Sequence, residues 1–163
     1  MKRTIFSGVA VVLVAASAIG FATLTTADPR DAAKAPSEAA LPADRQMTIW
    51  RDPNCGCCDA YADYMEENGY RVTRIDDVDF DKRSIAVGVP EGGLGCHLAE
   101  VDGYYVSGLV PADIVARLTS ERPDIAGITL PGMPMNAPGM AGKSGTLKIY
   151  GFSDAGVTEF SDE

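Results

Sequence analysis

"MTIWRDPNCGCCDAYADYMEENGYRVTRI", residues 47–75, is the stretch on which the fold turns. It opens on "MTIW" (47–50), β-branched and aromatic, and breaks at the turn sequence "RDPN", as a strand leading into a loop does. From Cys58 onward Tyr61, Ala62 and Met65, with Tyr64 beside them, recur at helical spacing, and Gly69 in "ENG" stands where a helix ends. "YRVTRI" (70–75) then alternates as a second strand. Strand, helix and strand within about 30 residues have the length of a parallel βαβ crossover. Three cysteines, Cys55, Cys57 and Cys58, crowd the point where the helix begins.

Downstream, Asp79 is placed to cap a short helix carrying Phe80, Ile85 and Val87, which Pro90 follows. Residues 97–101 and 104–107 read as two short strands hinged on Asp102-Gly103, a strong hairpin signal. Pro111 opens a helix whose Ile114, Val115 and Leu118 share a face and which ends before Pro123. "TLKIYGFSDAGVTEF" reads as a closing hairpin around Asp154-Ala-Gly156. The sum is an α/β fold of β-α-β-α-β-β-α order with a mixed central sheet and an extra C-terminal hairpin. That order is the thioredoxin-like arrangement, in which a C-x-x-C follows the first strand at the N-terminus of the first long helix.

Upstream, Lys2 and Arg3 precede an apolar run rich in Ala and Val that ends in small residues, so 1–27 reads as a secretory signal peptide cleaved after Ala27, with an earlier site at "ASA" (16–18). An uncleaved membrane anchor is the rival, because the run is close to the lower limit for spanning a bilayer. Residues 28–45, made of Ala, Pro and charge, read as a flexible linker, which leaves 46–163 as one thioredoxin-like metal-binding domain. Export implies the periplasm, with no membrane association after cleavage. The formal net charge of −9 becomes more negative once Lys2 and Arg3 leave, and such a surface repels phosphate backbones and anionic lipid. Nucleic acid is therefore excluded as a partner.

Four cysteines in an exported chain ordinarily mean two structural disulfides. Here at most one of the bunched three can pair with the distant Cys96, and a second bridge would have to lie inside the cluster, where only Cys55 to Cys58 is commonly unstrained. A helix N-terminus instead favours thiolate at Cys55 and Cys57, and Arg51 adds to its positive potential. In thioredoxin-like folds the turn before the hairpin packs on that helix end; here it carries Cys96 and His97, the chain's one histidine, so all five residues are expected to meet. A sulfur-rich set of this kind selects soft ions, Cu(I) foremost because bunched thiolates can bridge it, with Zn(II) as the alternative. "LPGMPMNAPGM" (130–140) adds Met133, Met135 and Met140 on a loop too rich in Pro and Gly for helix or central strand, either as soft ligands or as core filler. "DDVDFD" (76–81) lacks the central Gly and terminal Glu of a calcium loop and reads as a solvated turn. Gly92, Gly93 and Gly95 lack the Lys-Ser/Thr of a phosphate loop and serve to place Cys96.

Three stretches together, "IWRDPNCGCCDAY", "GVPEGGLGCHLAEVDGYYVSGLVPADIVARL" and "RPDIAGITLPGMPMNAPGM", resemble the CopG-type periplasmic copper-resistance family, long catalogued as a domain of unknown function. The resemblance covers nearly all of residues 47–153 and departs at Trp50, where the family often has Tyr. It implies a thioredoxin-like fold that binds copper through Cys55, Cys57, Cys58 and Cys96, with His97 in the family's "CH" pair as a further ligand or a group supporting one. On this reading the protein sequesters, transfers or redox-cycles Cu(I), with copper ions and other periplasmic copper-handling proteins as partners. The alternative is a thiol–disulfide oxidoreductase with Cys55 as nucleophile and Cys58 as resolving thiol. Against it stands Cys57, an adjacent third thiol that invites scrambling.

Overall fold

The computed structural model describes residues 42–142 and 145–163. The expected leader and most of the expected linker lie outside the described residues; of the linker's last four, Ala43–Arg45 form a single 3-10 turn, and Arg45 lies over the Tyr70 ring at 4.9 Å. Strands β1 (Gln46–Arg51) and β2 (Arg71–Asp76) flank helix α1 (Gly56–Glu67). Helix α2 (Phe80–Ala86) and the hairpin β3 (His97–Val101) and β4 (Tyr104–Ser107) follow, then α3 (Ala112–Glu121), β5 (Gly127–Thr129), β6 (Lys148–Ser153) and β7 (Gly156–Asp162). They build one mixed seven-stranded sheet in the order β2-β1-β3-β4-β5-β6-β7. The β-α-β-α-β-β-α order and the C-terminal hairpin are as expected from the sequence.

The expectation lacked β5. This three-residue strand pairs parallel to β4 and antiparallel to β6, and through it the C-terminal hairpin continues the central sheet. A segment so short shows no alternation of its own; its pairing is long-range and its burial complete, with all three residues buried.

Alternation along β1 decides what covers the sheet. Met47 and Ile49 point into the main core with Tyr61, Ala62 and Met65 of α1 and Ile114, Val115 and Leu118 of α3, whereas Trp50 joins Leu98, Val89 and Phe152 in a smaller core on the other face. Complete burial of each large apolar side chain contributes about 1.5–3 kcal/mol. Two tyrosines then fix α1 to the start of α3: the Tyr61 hydroxyl donates to the Val110 carbonyl (2.8 Å), and the Tyr64 hydroxyl accepts from the Ala112 N–H (3.1 Å). α1 stops at Gly69, whose φ of +86° only glycine adopts cheaply. Asp102 and Gly103, both at positive φ, make the tight β3–β4 turn.

Three backbone segments meet behind the first helix with almost nothing between them. A Cβ on Gly95 would fall inside the Gly108 backbone, and one on Gly108 would fall on the Leu130 carbonyl. Gly95 and Gly132 form a parallel bridge, and the Gly132 N–H donates to the Leu94 carbonyl (3.0 Å). Gly95→Ala should therefore lower unfolding free energy by about 1–3 kcal/mol in urea titration, as overpacking does. Gly92→Ala, whose new Cβ meets nothing within 4 Å, should stay within about 0.5 kcal/mol of the parent.

Candidate metal centre

The loop out of β1 winds down onto the N-terminus of α1. The Asp52 carboxylate accepts the Asn54 N–H (2.9 Å) and the Asp52 carbonyl accepts the Cys55 N–H (3.0 Å), a turn that places Cys55 at the N-cap. Helical spacing then sends Cys58 inward on the buried stripe with Tyr61, Ala62 and Met65, and leaves Cys57 partly exposed at the rim. Cys55 and Cys58 are joined in a disulfide with their Cα atoms 5.3 Å apart, while Cys57 and Cys96 are free. The bonded pair is the one combination within the cluster that the spacing favoured.

Cys96 arrives from the turn before β3, held by the Gly95 contact. Its carbonyl oxygen lies 3.2 Å from Cys58 Sγ and 3.8 Å from Cys55 Sγ. The four cysteine sulfurs lie within 4.8 Å of one another, and Cys57 Sγ is 3.4 Å from Cys55 Sγ. On the loop after β5, the Met133 thioether sits 3.8 Å from Cys57 Sγ while the side chain stays 55 % exposed. Met135, 61 % exposed on the same turn, accepts the Gly142 N–H at its carbonyl (2.6 Å). Met140 is half-buried against the main core and acts there as filler. The structure therefore gathers Cys55, Cys57, Cys58, Cys96 and Met133, with His97 immediately beneath.

His97 is fully buried, its ring 4.7 Å from that of Tyr61 and its Nδ1 3.5 Å from Cys96 Sγ. Nε2 is buried with no hydrogen-bond partner among the described residues. A buried lone pair left unpaired is better tolerated than a buried N–H left unpaired, so we assign the proton to Nδ1, where it points at the Cys96 sulfur. Burial pushes the imidazole down to about 3, and burial together with the nearby Cys57 pushes the Cys96 thiol up to about 12. Cys96 is thus a neutral thiol in the metal-free protein, and a metal ion must displace its proton to bind it.

Arg51 does not lend its charge to the cysteines as the sequence suggested. Its guanidinium pairs with Asp59 (3.0 Å) and Asp76 (3.1 Å), tying the end of β1 to α1 and β2. Sequence reasoning also missed Tyr61 as the floor under His97, and Gly108 and Gly132 as the partners that bring Cys96 and Met133 inward. The signal for Gly132 was its place immediately before Met133 in "PGM", matching that of Gly95, which was read, before Cys96 in "LGC".

A protein-family profile described as "Protein of unknown function, DUF411" matches residues 94–140, which include Cys96, His97 and Met133. Two solved structures, forms 1 and 2 of "Copper resistance protein copG", are each 32 % identical to the chain at a TM-score of 0.67. Each match covers 72 % of this chain and 96 % or 97 % of the other. No curated protein matches the chain.

The buried imidazole has a pH signature in the metal-free protein. Between its folded value of about 3 and its ordinary value of 6.5, the unfolded chain binds a proton that the folded chain refuses. Its contribution is therefore fully present above about pH 6.5 and is lost progressively as pH falls toward 3. The ring resonances of this one histidine should show no titration between about pH 8 and 5 by NMR, and His97→Gln should flatten the fall in urea midpoint below about pH 6.

Proposed function

The chain belongs to the CopG-type copper-resistance family, and from that membership we propose that it is an exported copper-binding protein that holds Cu(I) at its cysteine cluster and hands it on within the periplasm. The observation that carries this reading is the convergence of four cysteine sulfurs within 4.8 Å. The donor set fits the ion. Thiolate and thioether are soft ligands that select Cu(I) over hard cations, and adjacent thiolates on one helix end can bridge more than one such ion.

In this reading copper is the cargo, and the chain's residues divide the work of holding it. Cys57 at the rim, beside Met133, meets the incoming ion. Cys55, Cys58 and Cys96 hold it deeper once the Cys55–Cys58 bridge is reduced. The buried Nδ1–H of His97 donates to the Cys96 sulfur, favouring its thiolate when the proton leaves. Tyr61 and the main core keep that imidazole neutral and oriented. Loading releases the thiol protons, so affinity rises with pH.

The Cys55–Cys58 disulfide favours a second reading, a thiol–disulfide oxidoreductase, because a partly exposed first cysteine paired with a buried second suits exchange. The two readings part on metal protection. Reduced protein loaded anaerobically with Cu(I) should retain copper on metal analysis, and Cys96→Ser should cut loading about as severely as Cys58→Ser. Bound copper should also block maleimide labelling of Cys55. Equal labelling with and without Cu(I), together with unimpaired copper loading in Cys96→Ser, would favour the exchange enzyme, and retention of Zn(II) in preference to Cu(I) would change the cargo.

A further inference from the structure

We propose that the disulfide form of this protein carries a copper site of its own, in which Cys57, Cys96 and Met133 seat a single Cu(I) while Cys55 and Cys58 are bonded to each other. The inference rests on the reading of the cluster as a Cu(I) site and adds to it a second, oxidised state with a different ligand set and a smaller capacity.

The argument begins with what the bridge removes. A disulfide sulfur carries no negative charge and is a poor ligand, so closing Cys55 to Cys58 withdraws two of the four thiols. The remaining two, Cys57 and Cys96, are free, partly buried and within 4.8 Å of each other. Met133 supplies a third sulfur, 3.8 Å from Cys57 Sγ. Two sulfurs bound to one ion at about 2.3 Å each, with a tetrahedral angle between them, stand roughly 3.8 Å apart. Cys57 and Met133 already have that separation before any ion is bound.

Placement of the third sulfur is built into the backbone. The parallel Gly95–Gly132 bridge sets Cys96 and Met133 side by side, each one residue beyond its glycine. Neither position depends on the Cys55–Cys58 bond. A thioether also resists the oxidation that has closed the other two thiols, so a site made of two thiols and one thioether retains copper where a four-thiolate site has been halved. Opening the bridge takes two electrons and two protons from a dithiol, which closes into its own disulfide. Cys55 and Cys58 then become free thiols and the capacity rises.

The experiment compares the two states of the same protein. Disulfide protein is verified by iodoacetamide labelling of Cys57 and Cys96 alone after unfolding in urea without reductant, and reduced protein is prepared with dithiothreitol and desalted anaerobically. Each is given Cu(I) as its acetonitrile complex and challenged with a bicinchoninate chelator. The disulfide form should keep one Cu(I) per chain, with Cys57 then shielded from iodoacetamide, and the reduced form should keep more than one. Met133→Leu should weaken binding by the disulfide form at least about tenfold. Met140→Leu, which alters a packing residue, should not. A Cys55→Ser/Cys58→Ser double variant, which lacks both the bridge and its thiols, should also keep one Cu(I). If the disulfide form loses all its copper while the reduced form holds it, this inference fails and the proposed function stands. If neither form holds copper, both fail. Unchanged affinity in Met133→Leu would overturn the three-sulfur assignment.

Discussion

The site depends on a contact between backbones. At Gly95, Gly108 and Gly132 the chain leaves no room for a Cβ or uses a φ that side chains disfavour, and there the turn before β3, the exit of β4 and the loop after β5 come together. Each of the two site residues delivered from outside the first helix, Cys96 and Met133, directly follows one of these glycines. Any side chain at Gly95 would push the Cys96 turn off β4. The same contact is supported from both ends: the His97 carbonyl accepts the Gly108 N–H (3.1 Å), and the Ser107 carbonyl accepts the Leu130 N–H (2.9 Å).

What the contact delivers is met by a helix end prepared for it. Cys55 caps α1, Cys57 turns to the rim and Cys58 turns to the core, a division that follows from helical spacing alone. Because Tyr61 and Tyr64 bond to the residues around the start of α3, the helix cannot rotate to present a different set. His97 opens β3 with its ring buried 4.7 Å from that of Tyr61 on this helix, and that burial keeps it uncharged. A neutral donor behind Cys96 and a half-exposed thioether beside Cys57 give the cluster a polar floor and a soft, uncharged lip.

The disulfide gives the same cluster two chemical states. The bonded pair lies within one turn of helix and the free pair spans the contact between helix and turn, so oxidation removes the local thiols and spares the long-range ones. Arg51, which the sequence offered as a cationic neighbour, is committed to Asp59 and Asp76 and serves to clamp the strand end beneath the site. The charge available to stabilise thiolates at the helix start is therefore that of the helix dipole.

From sequence alone, the elements with strong local signals were legible: the βαβ unit with its cysteines at the helix start, the Asp102-Gly103 hairpin, the helix after Pro111 and the closing hairpin. Each is written in spacing and turn chemistry within about ten residues, the range over which periodicity and φ preferences act. The meeting of Cys96 with the cluster was also legible, through the order of the elements. Tertiary structure alone decided that β5 exists, that Arg51 is neutralised by Asp76, and that Met133 and not Met140 reaches the thiols. Those outcomes depend on which segments lie against which across tens of residues of intervening chain. Strand pairing, which sets Arg51 beside Asp76 and β5 beside β4, and the backbone bridge between Gly95 and Gly132 settle them, and neither has a periodic trace in the sequence.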